Sequence, residues 1–259
     1  MAQLYLGIDI GGSNTKAVLL KGLRKQNPKC FTIKTPQTQK SFLKAMEGIV
    51  RTLKGNKKLS GLGVGLPGIV DPSGGVLRYA PNLRFLNGWR AKKFFEKFGT
   101  KVAVDNDVRG MLMAEAIWGE ARGRKNAIVL AIGTGIGGGI LADGKIYRGA
   151  NFGAGEFGHM VVQDKKELEY WVGGRFSKGR KNREEILGIG IANLINILNP
   201  EVVIIGGGAM GDGHFNLTKI RKAAKKFILP PLRKTPIVRT KLGRVAQAVG
   251  AALLVHHRI

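Results

Sequence analysis

Acidic residues are scarce in this 259-residue chain: 17 Asp and Glu stand against 43 Lys and Arg, a formal net charge of +26. None lies between Asp9 and Glu47, and after Glu201 only Asp212 faces eleven Lys and Arg. Such a surface attracts polyanions. No aromatic-interleaved basic tract, zinc-finger spacing or basic tail marks a nucleic-acid module, so no specific nucleic-acid partner is expected. Cysteine is nearly absent. The single Cys30 excludes an internal disulfide and any multi-cysteine zinc site, and it reads as a buried or half-buried thiol. No run of about 18 apolar residues occurs, and the N-terminus enters a strand-like segment with no signal-peptide pattern. A soluble, cytoplasmic protein without membrane contact is expected. The pattern G-x-x-x-x-G-K-[ST] is also missing, which disfavours a P-loop nucleotidase.

Apolar material is sufficient: 44% hydrophobic residues in a chain of this length suffice for a sizeable core, and the length suits two lobes with a cleft between them. A strand is predicted at 4–10, a glycine turn at 11–13 and a second strand through 17–20, a hairpin pattern. The same strand, glycine turn and strand recur at 127–132, 133–139 and 140–146. Helical spacing covers 39–54, 108–118, 184–198, 216–228 and 245–255, with short buried strands at 62–66, 102–104 and 202–205. Asn106 and Asp107 then fall at a helix start, with Asp107 placed as an N-cap. The helix beginning near 107 is expected to join the lobes.

Three glycine-rich loops, at 11–12, 133–139 and 206–208, offer converging backbone N–H groups of the kind that hold phosphate. Two windows match G-x-G-x-x-G, at Gly133/Gly135/Gly138 and Gly63/Gly65/Gly68, but neither opens a helix, as a dinucleotide site requires. Asp9 ends an apolar strand before glycines, where an ionised carboxylate must find a cation or donors.

Asp9-Ile-Gly-Gly-Ser13, Gly133-Thr-Gly-Ile-Gly137 and Gly206-Gly-Gly208 together resemble the phosphate-1, phosphate-2 and adenosine motifs of the actin, sugar-kinase and heat-shock ATPase superfamily. With Gly65-Leu-Pro-Gly68, Pro81-Asn-Leu83, Asp105-Asn-Asp107 and Gly155-Glu-Phe-Gly-His159 added, the chain resembles the ROK family (repressors, open reading frames and kinases) over nearly its whole length. The resemblance implies an α/β, two-lobed actin-like ATPase (ribonuclease H-like) fold with mixed sheets and a central cleft. It also implies a small lobe at 1–107, with the C-terminal helix at about 245–259 packing back on it, a large lobe at 108–244 and a homodimer.

The activity implied is ATP-dependent phosphorylation of a hexose, in first place glucose to glucose 6-phosphate. Phosphoryl transfer to an alcohol needs a positioned hydroxyl, a carboxylate for its proton, a metal to bridge phosphates and donors for the equatorial oxygens. By resemblance Asp107 is the base, and Gly68, Asn82, Asn106, Asp107, Glu156, His159 and Glu169 bind the sugar. Asp9, Gly11, Gly12, Ser13, Asn14, Lys16, Gly133, Thr134, Gly135, Gly137, Gly207 and Gly208 bind the nucleotide, and Asp9 holds Mg²⁺ through water. Many family members bind structural zinc through a cysteine cluster after the histidine; none is present here, so zinc is expected to be absent. The segment 165–183 is short and very basic, which reduces the lid found in longer relatives. No winged-helix segment precedes Leu4, which counts against a repressor. The alternatives are polyphosphate as donor, which suits the basic surface and occurs in compact zinc-free relatives, and fructose, mannose or an N-acyl hexosamine as acceptor. A non-catalytic sugar sensor is disfavoured by the retention of Asp9 and Asp107.

Overall fold

Leu4–Ile10 (β1) is buried along its whole length, because it lies between two neighbours in a sheet that is covered on its faces. The computed structural model describes residues 3–174, 180–211 and 215–256. Residues 175–179 of the basic stretch and 257–259 of the expected C-terminal helix lie outside the described residues. The chain divides into unit 1, Met1–Ala114 with Ala150–Gly153 and Val245–Ile259, and unit 2, Glu115–Gly149 with Ala154–Arg244.

Unit 1 contains β1, β2 (Asn14–Lys21), β3 (Cys30–Lys34), α1 (Gln39–Lys54), β4 (Gly61–Leu66), β5 (Ile69–Asp71), β6 (Val76–Tyr79), α2 (Ala91–Glu96), β7 (Val102–Asn106) and most of α3 (Asp107–Trp118). Its main sheet runs β3-β2-β1-β4-β7: the first three strands are antiparallel, and β1, β4 and β7 are parallel. α1 buries Phe42, Met46, Ile49 and Val50, the 3.6-residue stripe of an amphipathic helix, and Thr38 caps its start by accepting the Ser41 N–H at 3.4 Å. Cys30 is exposed rather than buried, because β3 is the edge strand of this sheet.

Unit 2 repeats the plan with β8 (Ala127–Ile132), β9 (Ile136–Ala142), β10 (Lys145–Tyr147), β11 (Val161–Gln163), β12 (Lys166–Glu167), α4 (Leu168–Val172), α5 (Arg183–Leu198), β13 (Val202–Gly206), α6 (Gly208–Gly211), α7 (Leu217–Phe227) and β14 (Ile237–Arg239). Its sheet runs β10-β9-β8-β13-β14, with the two hairpin partners antiparallel and β8, β13 and β14 parallel. The recurring strand, glycine turn and strand read from the sequence are therefore the central hairpins of two sheets with one topology.

α8 (Ala246–Leu254) belongs to unit 1 and packs over β1 and β4. The approach is close enough that a Cβ on Gly63 would stand 2.5 Å from the carbonyl carbon of Ala251. Small residues on both surfaces permit it.

Candidate active site

In unit 1 the carboxyl ends of three parallel strands lie side by side: Asp9 is in register with Gly65, and Gly65 with Asp105. Ligands of open α/β sheets bind at such ends. Asp9 is 6% exposed and faces Lys16 across the β1–β2 pair. Burial pushes its carboxyl up to about 6, against the opposing pull of the Lys16 charge. A Cβ on Gly65 would come 3.1 Å from the Cα of Asp107, so glycine here admits the start of α3 against the strand ends.

Asp107 is not the N-cap that its position suggests. Asn106 carries the cap, its Oδ1 accepting the N–H groups of Val108 at 2.9 Å and Arg109 at 3.1 Å. A capping side chain reaches N–H groups two or three residues ahead. Asp107 Oδ1 accepts only from its immediate neighbour, the Val108 N–H at 2.9 Å, and the residue is half-buried in the first turn. Asn106 Nδ2 also donates to the Gly68 carbonyl at 3.0 Å, tying two predicted sugar-site residues together. Behind them Asp105 and Arg109, one turn apart on the chain, form a buried ion pair at 2.8 Å. Asp105 Oδ1 accepts the Asn106 N–H at 2.8 Å, and Arg109 Nη1 donates to the Phe152 carbonyl at 3.0 Å. Sequence reasoning passed over Arg109; the signal was its spacing of four from an acid in a buried strand.

The turn between β1 and β2 is braced by side chains that were not predicted. The Gly11 N–H donates to Asn14 O at 3.0 Å, the Thr35 hydroxyl donates to Gly11 O at 2.7 Å, and Gln37 Nε2 donates to Gly12 O at 3.1 Å. Thr15 and Thr35 share a hydroxyl contact of 2.9 Å beneath. Ser13 and Asn14 are exposed at the tip, and Asn82 sits beside Gly12, whose Cβ would lie 3.1 Å from that of Asn82.

Unit 2 gathers the second set. Gly133–Gly137 follows β8 and Gly206–Gly208 follows β13, with Gly206 in register with Ala131. Gly207 has φ +92, and a Cβ there would collide with the backbone of Ile132, so only glycine serves. Thr134 and Gly208 are exposed, and Gly133, Gly135 and Gly137 are half-buried. Glu156 is exposed, directly before the 3-10 turn Phe157–His159. His159 is exposed too, and its Nδ1 lies 3.0 Å from Glu167 Oε2 on β12. That hydrogen bond raises the His159 pKa above its ordinary value, helped by the negative charges of Glu167, Glu156 and Glu169. Glu169, half-buried, accepts the Ile136 N–H at 2.8 Å.

The predicted residues thus form two sets: Asp9 to Lys16, Gly68, Asn82, Asn106 and Asp107 in unit 1, and Gly133 to Gly137, Glu156, His159, Glu169, Gly207 and Gly208 in unit 2. Among the described residues no three His, Cys, Asp or Glu side chains group as metal ligands. Mg²⁺ asks for less, because it keeps most of its waters and takes one or two carboxylates plus substrate phosphates. Asp9, a buried carboxylate beside a glycine turn, fits that demand. No helix among the described residues is long and apolar enough to cross a membrane.

The comparisons agree on the family. A glucokinase of Streptomyces coelicolor is 27% identical over 96% of each chain. A xylose repressor of Caldicellulosiruptor bescii is 30% identical over 84% of this chain and 62% of the repressor. A crystal structure of a ROK family glucokinase from Streptomyces griseus, in complex with glucose and AMPPNP, superposes with a TM-score of 0.85 at 24% identity, covering 97% of this chain and 99% of that one. That likeness establishes the fold, the two-lobed actin-like α/β fold with mixed sheets. The ROK family model itself matches residues 5–170 and 177–258, and the chain belongs to the ROK family.

Proposed function

We propose that the protein is a hexose kinase, transferring the γ-phosphoryl group of ATP to a sugar hydroxyl, with the 6-hydroxyl of glucose as the first candidate. The observation that carries the reading is the placement of Asp9 and Asp107 together at the carboxyl ends of β1, β4 and β7. A pure binding protein has no need of a buried acid next to a glycine turn and a second acid freed from capping.

In this reading Asp107 takes the proton from the attacking hydroxyl as its oxygen bonds to the γ-phosphorus and the bond to the β–γ bridging oxygen breaks, releasing ADP. Asn106, locked by its cap and by Gly68, orients the acceptor beside Asp107. Asn82, Glu156 and His159 supply further sugar contacts. The turns at 11–14 and 133–137 present backbone N–H groups to the phosphates, and Gly207 and Gly208 receive the adenosine end. A bound Mg²⁺, held through water by Asp9, neutralises phosphate charge.

The deciding experiment is a panel of glucose, fructose, mannose and N-acyl hexosamines, each tested with ATP and with inorganic polyphosphate at low and moderate salt. Turnover of glucose with ATP is the expected result. The net charge of +26 favours one second reading, polyphosphate as donor, and its mark is turnover that falls steeply with ionic strength. Sugar binding without turnover on either donor sinks the kinase reading and leaves a sensor, the role nearest to the repressor relative. The homodimer carried by the resemblance is checked by light scattering.

A further inference from the structure

Resemblance assigns Glu169 to the sugar, but its carboxylate is engaged with the glycine turn of unit 2. Oε2 accepts the N–H of Ile136, the residue that leaves the turn and opens β9, at 2.8 Å. A bond from a backbone N–H to an ionised carboxylate is about twice as strong as one between neutral groups. Two glycines make the space for it. A Cβ on Gly135 would strike the carboxylate, and one on Gly158 would lie 3.2 Å from Oε2 and 2.5 Å from Ile136 O. Gly158 is the middle residue of the 3-10 turn that Glu156 precedes and His159 ends. The carboxylate therefore stands where the Gly133–Gly137 turn and the Glu156–His159 turn meet.

The end of α4 grips the same glycine turn from its other side. The Gly174 N–H donates to Gly133 O at 2.8 Å, and a Cβ on Gly173 would come 3.3 Å from Thr134 O. The run from Glu169 to Gly174 thus holds the turn at its entry, through Gly133, and at its exit, through Ile136. A turn pinned at both ends keeps its peptide planes, and hence the direction of its N–H groups, in one arrangement before any anion arrives. Such preorganisation governs how much of the interaction with phosphate is realised.

We infer that Glu169 is a positioning residue for the phosphoryl donor: it sets the Gly133–Gly137 turn in its anion-binding form and braces it on the Glu156–His159 turn. The inference rests on the kinase reading for its choice of ligand. It predicts that loss of the carboxylate is felt in the affinity for the donor, with that for the sugar little changed.

Glu169→Ala and Glu169→Gln test it, since glutamine keeps an acceptor oxygen at the same reach and alanine removes it. In Glu169→Ala the KM for ATP rises about tenfold with the sugar KM within about twofold of the parent, and Glu169→Gln recovers at least half of that loss. Amide hydrogen exchange at Ile136, followed by NMR, speeds up in the alanine variant and stays slow in the glutamine variant. That readout needs no turnover, so it separates this inference from the kinase reading: slow exchange in the parent and fast exchange in Glu169→Ala uphold the pinned turn even if no sugar is phosphorylated. If both variants raise the sugar KM and leave the ATP KM and Ile136 exchange unchanged, Glu169 is a sugar ligand and the inference is overturned. Should Glu169→Ala fail to fold, Glu169→Gln decides alone, by whether the affinity it loses is for ATP or for the sugar.

Discussion

Asn106 Oδ1 accepts the backbone N–H of Val108 at 2.9 Å, so the start of α3 is closed by the residue before the aspartate and not by the aspartate itself. Asp107 is thereby relieved of a structural duty. Asp107→Asn is expected to leave the melting temperature nearly unchanged while lowering kcat by about 10²–10⁴, the usual contribution of a general base. Asn106→Ala is expected to cost about 1 kcal/mol of stability through the lost cap, read from urea unfolding. Undiminished turnover in Asp107→Asn would remove the aspartate from the mechanism.

Asp9 should show opposite effects on stability and activity. Its carboxyl is pushed up to about 6 by burial, so holding it ionised at pH 7.5 costs the folded state roughly 2–3 kcal/mol. Asp9→Asn removes that cost and is expected to raise the melting temperature by several degrees in metal-free buffer, while turnover falls at least about a hundredfold. A lower melting temperature would mean that the carboxylate is a net stabiliser.

The pair His159 and Glu167 makes a prediction in pH. The folded-state pKa of His159 lies above its ordinary value, so the pair adds stability below the unfolded pKa of about 6.5 and loses it as pH rises through the folded value. Glu167→Gln is expected to lower the His159 midpoint in an NMR titration and to destabilise the protein at pH 5.5 but not at pH 9. Both groups are largely exposed, so the effect is small and screened by salt. An unchanged midpoint would show that the contact is absent in solution.

Packing of α8 on β4 is tested at Gly63. Its Cβ would press into the Ala251 backbone, which cannot rotate away as a side chain can. Gly63→Ala is expected to destabilise by about 2–4 kcal/mol in urea unfolding, with an unchanged m-value. Tolerance of alanine would mean that α8 sits further from the sheet.

Most of the regular structure was legible from local patterns. The stripe Phe42, Met46, Ile49 and Val50 specifies α1 whatever surrounds it, and the apolar runs of β1, β8 and β13 specify buried strands. Short elements escaped notice: β3, β5, β14 and α4 have three to five residues and no period long enough to read. The exposure of Cys30 was missed for the same reason, since an edge position is a property of the sheet and not of the segment.

By itself the sequence determined the two hairpins with their glycine turns, the acids that end or follow strands, and the order of motifs that places the chain in its family. Those are local facts, set by side-chain volume, backbone freedom and spacing. Which donor meets which acceptor was decided only by the tertiary structure. Thr35 reaches Gly11 across 24 residues, Glu169 reaches Ile136 across 33, and Asn106 takes the cap that Asp107 was expected to hold. A hydrogen bond is made or lost over less than an ångström, a tolerance that no sequence spacing specifies until the sheets have brought their loops together.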